Sequence, residues 1–336
     1  MIEVRNLEKS FGEKKVLKGL SFTAREGRAY GFLGRNGAGK TTTIRVLMNI
    51  FREDGGEALI NGVPAYKESR AIGYLPEERG LYPKKTIREQ VRYLGQLKGF
   101  SASEAEKLAV EKLEEMAATE YLDKKLNTLS KGNQQKIQLA VALIGDPDIV
   151  ILDEPFSGLD PINAQMLKAA VRRQVDMGKT VLFSSHQMSQ VEEFCDEICI
   201  IDDGRAVLEG NLAEIKRGYS RDRVYIEAEP GHDGKLAAVL GMFAGAESNE
   251  RVIPRGDAFI YTLGGEGESI KDSKLELLRT LEEQNVGIDK FQVVEPTLED
   301  IFVEKVGVSS VVDPATEAED NENTKSKRGL FGRKKA

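Results

Sequence analysis

The sequence predicts an α/β fold with a largely parallel sheet, followed by a smaller α+β domain. Residues 1–218 alternate short apolar strands with amphipathic helices, a pattern typical of a parallel sheet flanked by helices. A glycine-rich turn joins an early strand to a helix at residues 34–41. Residues 222–306 follow the order β-α-β-β-α-β, which is typical of a split ferredoxin-like module. The chain is therefore expected to hold two domains.

Length, charge and cysteine content limit the class of protein. The chain has 336 residues, enough for a large domain and a small one. Its net charge of −7 argues against a general nucleic-acid binder, because no excess of cations is present to neutralise phosphates. The two cysteines, Cys195 and Cys199, are too few for a disulfide framework and are expected to be buried thiols. No apolar run approaches the roughly 18 residues of a membrane span, so the protein is not expected to cross a membrane by itself.

Two further segments have a distinct pattern. Residues 86–145 are almost entirely helical in pattern, and Ser101 to Glu104 has capping-box spacing, which predicts a helical subdomain inserted into the α/β core. Residues 308–336 hold many charges and few core-forming residues, which predicts a disordered tail. The tail is acidic first and basic at its end. Two roles for it stay open, contact with an anionic membrane surface or a solvated segment without a fixed partner.

The stretch from Gly34 to Thr41 fits the phosphate-loop pattern G-x-x-x-x-G-K-[ST]. It lies between a predicted strand at residues 28–33 and a predicted helix at residues 41–50. Backbone N–H groups of such a turn, together with the helix N-terminus, form an anion site. Lys40 is expected to reach the terminal phosphates, and the Thr41 hydroxyl to ligate Mg²⁺. The alternative, a chance glycine-rich turn, is disfavoured by this strand–loop–helix context.

An apolar strand at residues 148–152 ends in Asp153 and Glu154. A buried strand can hold Asp153 near a Mg²⁺ ion that bridges the phosphates of a nucleotide. Glu154 follows at once and is placed to polarise an attacking water. Taken alone, the pair is equally well an ordinary charged end of a strand, so its meaning depends on the other motifs.

Three more motifs complete an ordered set. Residues 129–134 read Leu-Ser-Lys-Gly-Asn-Gln at the start of a predicted helix, residues 157–160 read Ser-Gly-Leu-Asp, and His186 follows an apolar strand. A hydroxyl and a glycine at a helix N-terminus form a second anion site. Together with the phosphate loop and the Asp-Glu strand end, this set resembles the ATP-binding subunit of ABC transporters. The resemblance covers residues 1–218 and implies a P-loop NTPase fold with ATPase activity.

The resemblance implies a role for each matching residue. The expected catalytic residues are Glu154 and the switch histidine His186. The expected nucleotide-binding residues are Phe11, stacked on the adenine, Val16, Gly34, Arg35, Asn36, Gly37, Ala38, Gly39, Lys40, Thr41 and Thr42. The signature residues expected to contact ATP bound to a partner subunit are Ser130, Lys131, Gly132, Asn133 and Gln134, with Asp160 in the D-loop. The expected Mg²⁺ ligands are Thr41, Asp153 and Glu77.

Three positions in two motifs depart from the commonest pattern of the family. Glu77 stands where glutamine is usual, which changes the charge beside the expected Mg²⁺ site. Lys131 and Asn133 stand in the signature where glycine and glutamine are more usual. Lys131 either adds positive charge at the γ-phosphate or points to solvent, and both readings stay open. These variants are similar to those of the export-type branch, so we interpret them as features of that branch.

The resemblance also implies partners and a location. Two ATP-binding subunits are expected to close head to tail around two ATP molecules; a homodimer is favoured because the motifs are complete, and a heterodimer stays open. Integral membrane permease subunits are expected to dock at residues 78–83, unless that segment is a plain surface loop. No nucleic-acid partner is expected. The protein is then peripheral, at the cytoplasmic face of the cell membrane.

Two other functions are weighed against this one. The first is a soluble ABC ATPase that moves no solute, for example in cluster assembly, although the C-terminal module does not suit it. The second is a regulatory module that holds ATP without hydrolysing it, which the presence of Glu154 and His186 disfavours. The C-terminal module resembles the accessory domain of export-type subunits, and we expect it to stabilise a dimer.

Overall fold

The computed structural model describes residues 1–68, 72–78, 80–219, 222–244, 251–255, 258–264 and 269–307. The predicted disordered tail, residues 308–336, lies outside these residues. The chain forms two compact units, one of residues 1–209 together with residues from 299 onward, the other of residues 210–298. The last helix thus belongs to the first unit, whereas the predicted domains 1–218 and 222–306 assign it to the second; those domain limits stay a prediction.

The first unit contains most of the secondary structure. Its elements in chain order are β1 (Ile2–Phe11), β2 (Lys14–Ala24), β3 (Ala29–Gly34), α1 (Lys40–Leu47), β4 (Gly55–Ile60), β5 (Val63–Pro64), α2 (Ala65–Glu68), β6 (Ile72–Leu75), α3 (Ile87–Leu97), α4 (Ala102–Glu115), α5 (Lys131–Ala142), β7 (Ile149–Asp153), α6 (Pro161–Asp176), β8 (Thr180–Ser185), α7 (Met188–Phe194), β9 (Glu197–Asp202) and β10 (Arg205–Asn211). Two short 3₁₀ turns, Thr119–Tyr121 and Leu126–Thr128, precede α5.

Two sheets form the core of this unit. One has the order β2-β1-β4-β5, and its neighbouring strands are antiparallel. The other has the order β10-β9-β3-β8-β7-β6, and β3 runs parallel to β8 and β9 while β7 runs parallel to β8 and β6. Every residue of β3, β7 and β8 is buried, as expected for strands covered on both faces. The predicted α/β fold with a largely parallel sheet is confirmed.

The helical insertion lies between β6 and β7 and consists of α3, α4 and α5. Thr86 begins α3 with a complete capping box, because its side chain accepts from the Glu89 N–H and the Glu89 carboxylate accepts from the Thr86 N–H. Ser101 caps α4 by accepting from the Glu104 N–H at 3.2 Å, as its spacing predicts. These caps satisfy N–H groups that a helix leaves without partners, and they fix where each helix begins.

The second unit is a small α+β module. Its elements are α8 (Leu212–Gly218), β11 (Arg223–Ala228), α9 (Asp233–Ala244), β12 (Val252–Arg255), β13 (Ala258–Thr262), α10 (Ile270–Glu283) and β14 (Ile288–Val294), after which α11 (Leu298–Val306) returns to the first unit. The sheet order is β12-β13-β11-β14 with antiparallel neighbours. This order confirms the predicted ferredoxin-like module. Its core packs Val224 and Ile226 with Leu236, Leu240 and Leu277.

Two expectations from composition can be compared with the structure. Cys195 and Cys199 are both free and buried, as predicted, and burial raises the pKa of each thiol. Among the helices of the described ranges, none combines the length and the apolarity that crossing a bilayer requires.

Candidate functional site

The candidate site lies where the parallel strands of the second sheet end. Because β3, β7 and β8 run in the same direction, their carboxyl ends meet at one edge of the sheet. Asp153 at the end of β7 pairs with Ser184 of β8, and Leu33 of β3 pairs with Ser185. The sheet register therefore brings together the phosphate loop, the two carboxylates and the segment that precedes His186.

The phosphate loop depends on glycine at three positions. Gly37 and Gly39 have positive φ angles of 84° and 115°, which favour glycine. A Cβ atom on Gly34 would lie 2.5 Å from the Ile201 carbonyl oxygen, and one on Gly39 would lie 2.7 Å from Leu17 Cδ2. No side chain caps the helix that begins at Lys40, so its first N–H groups are open to an anion.

Lys40 is buried in the loop, with 7% of its surface exposed. Its ammonium donates to the carbonyl oxygens of Gly34 at 2.5 Å and Arg35 at 3.2 Å. Burial lowers the pKa of Lys40, and the nearby carboxylates of Glu154, Asp153 and Glu77 act in the opposite direction. The loop thus holds a desolvated cation beside the helix N-terminus, the arrangement that a bound phosphate compensates best.

Asp153 is buried and accepts a hydrogen bond from the Ser184 hydroxyl. Burial raises the pKa of Asp153; Glu77 and Glu154 add to this rise, and the Ser184 hydrogen bond and Lys40 oppose it. Glu77, Asp153 and the Thr41 hydroxyl offer hard oxygen donors in one cavity, which fits Mg²⁺. No group of three or more His, Cys, Asp or Glu residues in the described residues holds a metal unaided. The donor set fits an ion that also takes phosphate oxygens as ligands.

Glu154 is held by three contacts from Ser185, the last residue of β8, and from His186, which follows it. Glu154 Oε1 accepts from the His186 backbone N–H at 2.8 Å and lies 2.6 Å from His186 Nδ1. Glu154 Oε2 accepts from the Ser185 hydroxyl at 3.1 Å. The Glu154 backbone has a φ of 49°, an uncommon conformation for a residue with a side chain. The carboxylate is therefore fixed in direction at the edge of the sheet, next to the phosphate loop.

These groups line an open cavity of about 250 Å³. The predicted residues that line it are Val16, Arg35, Asn36, Gly37, Gly39, Lys40, Thr41, Thr42, Glu77, Asp153 and Glu154. Gly34 and Ala38 are buried and do not line the cavity. Lys14 also lines the cavity and was missed from the sequence, because no motif includes it. Ser184 and Ser185 were missed as supporting residues, although both follow directly after the apolar part of β8.

Phe11 lies at the end of β1, outside the residues that line the cavity. Its ring is 43% exposed and meets the Phe51 ring edge-on at 5.1 Å between centroids. The ammonium of Lys9 lies 5.6 Å from its centroid. Phe11 is thus an exposed ring and not a core residue, and its predicted stacking on adenine stays a prediction.

The signature residues form a second cluster, away from this cavity. Ser130 caps α5 by accepting from the Asn133 N–H, and Gln134 Nε2 donates to the Leu129 carbonyl oxygen at 2.9 Å. The Asn133 side chain donates to the Tyr121 hydroxyl at 3.0 Å. None of the five predicted signature residues lines the cavity of the phosphate loop. One chain therefore presents the phosphate loop and the signature at separate places.

The signature and the D-loop pack closely. Asp160 caps α6 by accepting from the Asn163 N–H at 3.0 Å, and it also accepts from the Asn163 side chain at 2.6 Å. A Cβ on Gly132 would lie 2.5 Å from Asn163 Nδ2, so a larger residue there requires the Asn163 side chain to move. The Lys131 ammonium lies over Gly158, where a Cβ would come within 2.3 Å of it. Neither of the two predicted roles for Lys131 is decided by this position.

Replacing Gly132 with alanine is expected to destabilise the chain by about 1–3 kcal/mol, because the new methyl group overpacks against the Asn163 amide. The denaturation midpoint in urea measures this change. Gly241→Ala on α9 is the control, because nothing lies within 4 Å of the added Cβ. Equal stability of the Gly132→Ala protein and wild type would show that Asn163 moves aside without cost.

Replacing Glu77 with glutamine is expected to raise the Mg²⁺ concentration for half-maximal turnover by about 3–10-fold, because one carboxylate donor becomes neutral. The pKa of Asp153 should fall at the same time, since Glu77 contributes to raising it. Titrating Mg²⁺ at fixed ATP measures the first effect. Glu78→Gln is the matched control, because Glu78 does not line the cavity. An unchanged Mg²⁺ requirement would exclude Glu77 from the metal site.

The fold and the site define a phosphate-loop nucleotide-binding protein of the α/β class. Comparison with known proteins then gives the family. An ABC transporter family model matches residues 17–157, and a model of the C-terminal domain of DrrA1-3-like ATP-binding proteins matches residues 210–306. The chain is 41% identical over 311 residues to the uncharacterized ABC transporter ATP-binding protein YhaQ of Bacillus subtilis (strain 168), covering 91% of this chain and 99% of that one. The chain belongs to the ABC transporter ATP-binding proteins, and it is an ATPase of that family.

Other relatives and solved structures agree with this result. The linearmycin resistance ATP-binding protein LnrL of Bacillus subtilis (strain 168) is 31% identical over 312 residues, covering 91% of this chain and 98% of that one. The Nod factor export ATP-binding protein I of Burkholderia lata is 39% identical over 213 residues, covering 62% and 70%. A solved ABC transporter cassette, MJ0796, forms a dimer; it is 27% identical with a TM-score of 0.58, covering 63% of this chain and 99% of that one.

Proposed function

We propose that this chain is the ATP-hydrolysing subunit of an ABC-type exporter and that ATP closes two such subunits head to tail. The observation that carries the proposal is the separation of the two half-sites. The phosphate loop, Asp153 and Glu154 enclose one cavity, while the N-terminus of α5 with Ser130 lies outside it. A nucleotide held by one chain would then meet the signature helix of another. The dimeric cassette among the similar solved structures supports this arrangement.

In the proposed site, separate groups of residues bind the phosphates of ATP, hold Mg²⁺ and activate the attacking water. The open N–H groups of the loop and the Lys40 ammonium bind the phosphates. Thr41, Asp153 and Glu77 would hold Mg²⁺, which supplies positive charge against the phosphate oxygens. Glu154 polarises the attacking water, and His186 with Ser185 fixes the direction of its carboxylate. The signature residues of the second chain would complete the shell around the γ-phosphate. Loss of that phosphate then weakens the bridge and lets the two chains separate.

A groove on the same unit supports docking of a membrane permease. Its volume is about 360 Å³, and apolar side chains from the end of α1, from β6, from α3 and from α5 line most of it. Leu81 lines the groove and is buried, whereas Tyr82, the next residue, is 55% exposed. Arg79 lies outside the described residues. We propose that an apolar segment of the permease fills this groove, rather than that residues 78–83 form a plain loop.

The direction of transport and the location are part of the proposal. The names of two relatives refer to Nod factor export and to linearmycin resistance, which supports an exporter. The subunit binds the permease on the side of the membrane where ATP is present. It is therefore a peripheral protein at the cytoplasmic face of the membrane. The non-transport alternative, a soluble ABC ATPase, has no such support among the relatives named above.

Mixing two inactive variants tests the shared site. Lys40→Ala removes the phosphate-loop cation, and Ser130→Phe blocks the signature helix; each homodimer then has two damaged sites. A mixed dimer has one intact site, formed by the loop of the Ser130→Phe chain and the signature of the Lys40→Ala chain. We expect turnover to recover to about a quarter of wild type, because roughly half of the dimers are mixed and each has one of two sites. The double variant mixed with Lys40→Ala is the control and should stay inactive. No recovery would contradict a site shared between copies of this chain.

A further inference from the structure

Lys14 lies in the wall of the nucleotide cavity, although no motif assigns it a role. It is the first residue of β2 and pairs with Phe11 at the end of β1, across the turn at residues 12–13. Val16, two residues further along β2, lines the same cavity. The pairing of β1 with β2 is irregular at Val16, since Lys9 pairs with Leu17 and Ser10 with Lys15, and both Val16 and Lys14 line the cavity.

The position of Lys14 can be set relative to the phosphate loop. The Val16 carbonyl oxygen lies next to Gly39, since a Cβ built on Gly39 would be 3.6 Å from it. Lys14 is two residues further from the loop along the strand, a distance of roughly 7 Å at the usual rise of a strand. Phe11 then lies across from Lys14. The order from the inner end of the site outward is therefore the phosphate loop, Val16, and then Lys14 with Phe11.

The charge of Lys14 has no partner among the described residues, in contrast to the lysines that follow it. Lys15 pairs with Glu8 at 2.9 Å, and Lys18 pairs with Asp203 at 2.6 Å. Lys40 already supplies a cation at the inner end of the cavity. An unpaired ammonium at the outer part of a phosphate-binding cavity is suited to an anionic group that lies nearer the base than the terminal phosphates do.

We propose that Lys14 binds the α-phosphate of the nucleotide and so determines affinity for nucleotides over nucleosides. This inference rests on the proposed nucleotide site and adds a residue to it. Lys14 contacts a group that ATP and ADP share, whereas the signature helix of the partner is proposed to read the γ-phosphate. A single ammonium does not distinguish one base from another, so Lys14 contributes equally to adenine and guanine nucleotides.

The test compares Lys14→Met with Lys15→Met in the full chain. Affinities for ATP, ADP and adenosine are measured by equilibrium titration at low salt and again at about 0.5 M salt, where exposed charge pairs are screened. We expect Lys14→Met to weaken ATP and ADP binding by the same factor, about 5–20-fold at low salt, with a smaller loss at high salt. Adenosine binding stays unchanged, Lys15→Met binds all three like wild type, and Lys14→Arg retains most of the affinity.

Two results would overturn the assignment. Equal affinities of Lys14→Met and Lys15→Met for ATP would show that Lys14 touches no phosphate. A loss for ATP without a loss for ADP would assign the contact to the γ-phosphate instead. Thermal unfolding of both variants verifies that the hairpin still forms. Failure of the wild-type chain to bind ATP would contradict the proposed nucleotide site itself, so the two failures are distinguishable.

Discussion

Replacing Lys40 with alanine is expected to lower ATP affinity at least about 100-fold, because the proposed charge-assisted contact of this buried ammonium to phosphate is removed. The variant also loses the hydrogen bonds from the ammonium to the Gly34 and Arg35 carbonyl oxygens, whereas the glycine conformations of the loop are unchanged in sequence. Titration with a fluorescent ATP analogue measures the loss.

Replacing Lys40 is expected to raise the stability of the protein without nucleotide, although it lowers the affinity for ATP. Burial lowers the pKa of Lys40, so the charged form is disfavoured in the fold without nucleotide. We expect Lys40→Met to unfold at a slightly higher temperature than wild type when no nucleotide is present. Lys107→Ala, at an exposed position of α4, is the control for both measurements. Tight ATP binding by the Lys40→Ala protein would remove the loop from the nucleotide site.

Replacing Glu154 with glutamine is expected to reduce turnover about 10³-fold, because an amide cannot take the proton of an attacking water. The amide oxygen still accepts from the His186 N–H, so the side chain should keep its position. ATP binding is therefore retained, and hydrolysis no longer opens the proposed dimer. Single-turnover hydrolysis measures the rate, and sedimentation with ATP or ADP measures the dimer.

The control for the Glu154→Gln prediction is a second glutamate-to-glutamine variant outside the site. Glu193→Gln lies on the nearby helix α7, where it pairs with Lys168 at the surface, and it should hydrolyse ATP like wild type. Turnover near the wild-type rate in the Glu154→Gln protein would remove Glu154 from catalysis. A slow variant that stays monomeric with saturating ATP would leave Glu154 catalytic and would contradict closure of two copies of this chain.

Most of the fold follows from local sequence patterns. The strand–loop–helix order at residues 29–47 and the β-α-β-β-α-β order after residue 222 were both predicted, because apolar periodicity and turn residues act over short distances. Local patterns define the boundaries of elements less sharply: α10 begins at Ile270, where the polar residues of its first turn mask the apolar period. The capping box at Thr86 was also missed, although its spacing is visible in the sequence.

The sequence alone determined which groups are available for chemistry: a glycine-rich loop with Lys40, an Asp-Glu strand end and a signature at a helix start. Only the tertiary structure decided which of them meet. The parallel register places Ser184 on Asp153 and Ser185 with His186 on Glu154, and the hairpin places Lys14 at the cavity. The same fold keeps the signature outside that cavity. Contacts between distant segments depend on sheet order and register, which no local pattern encodes.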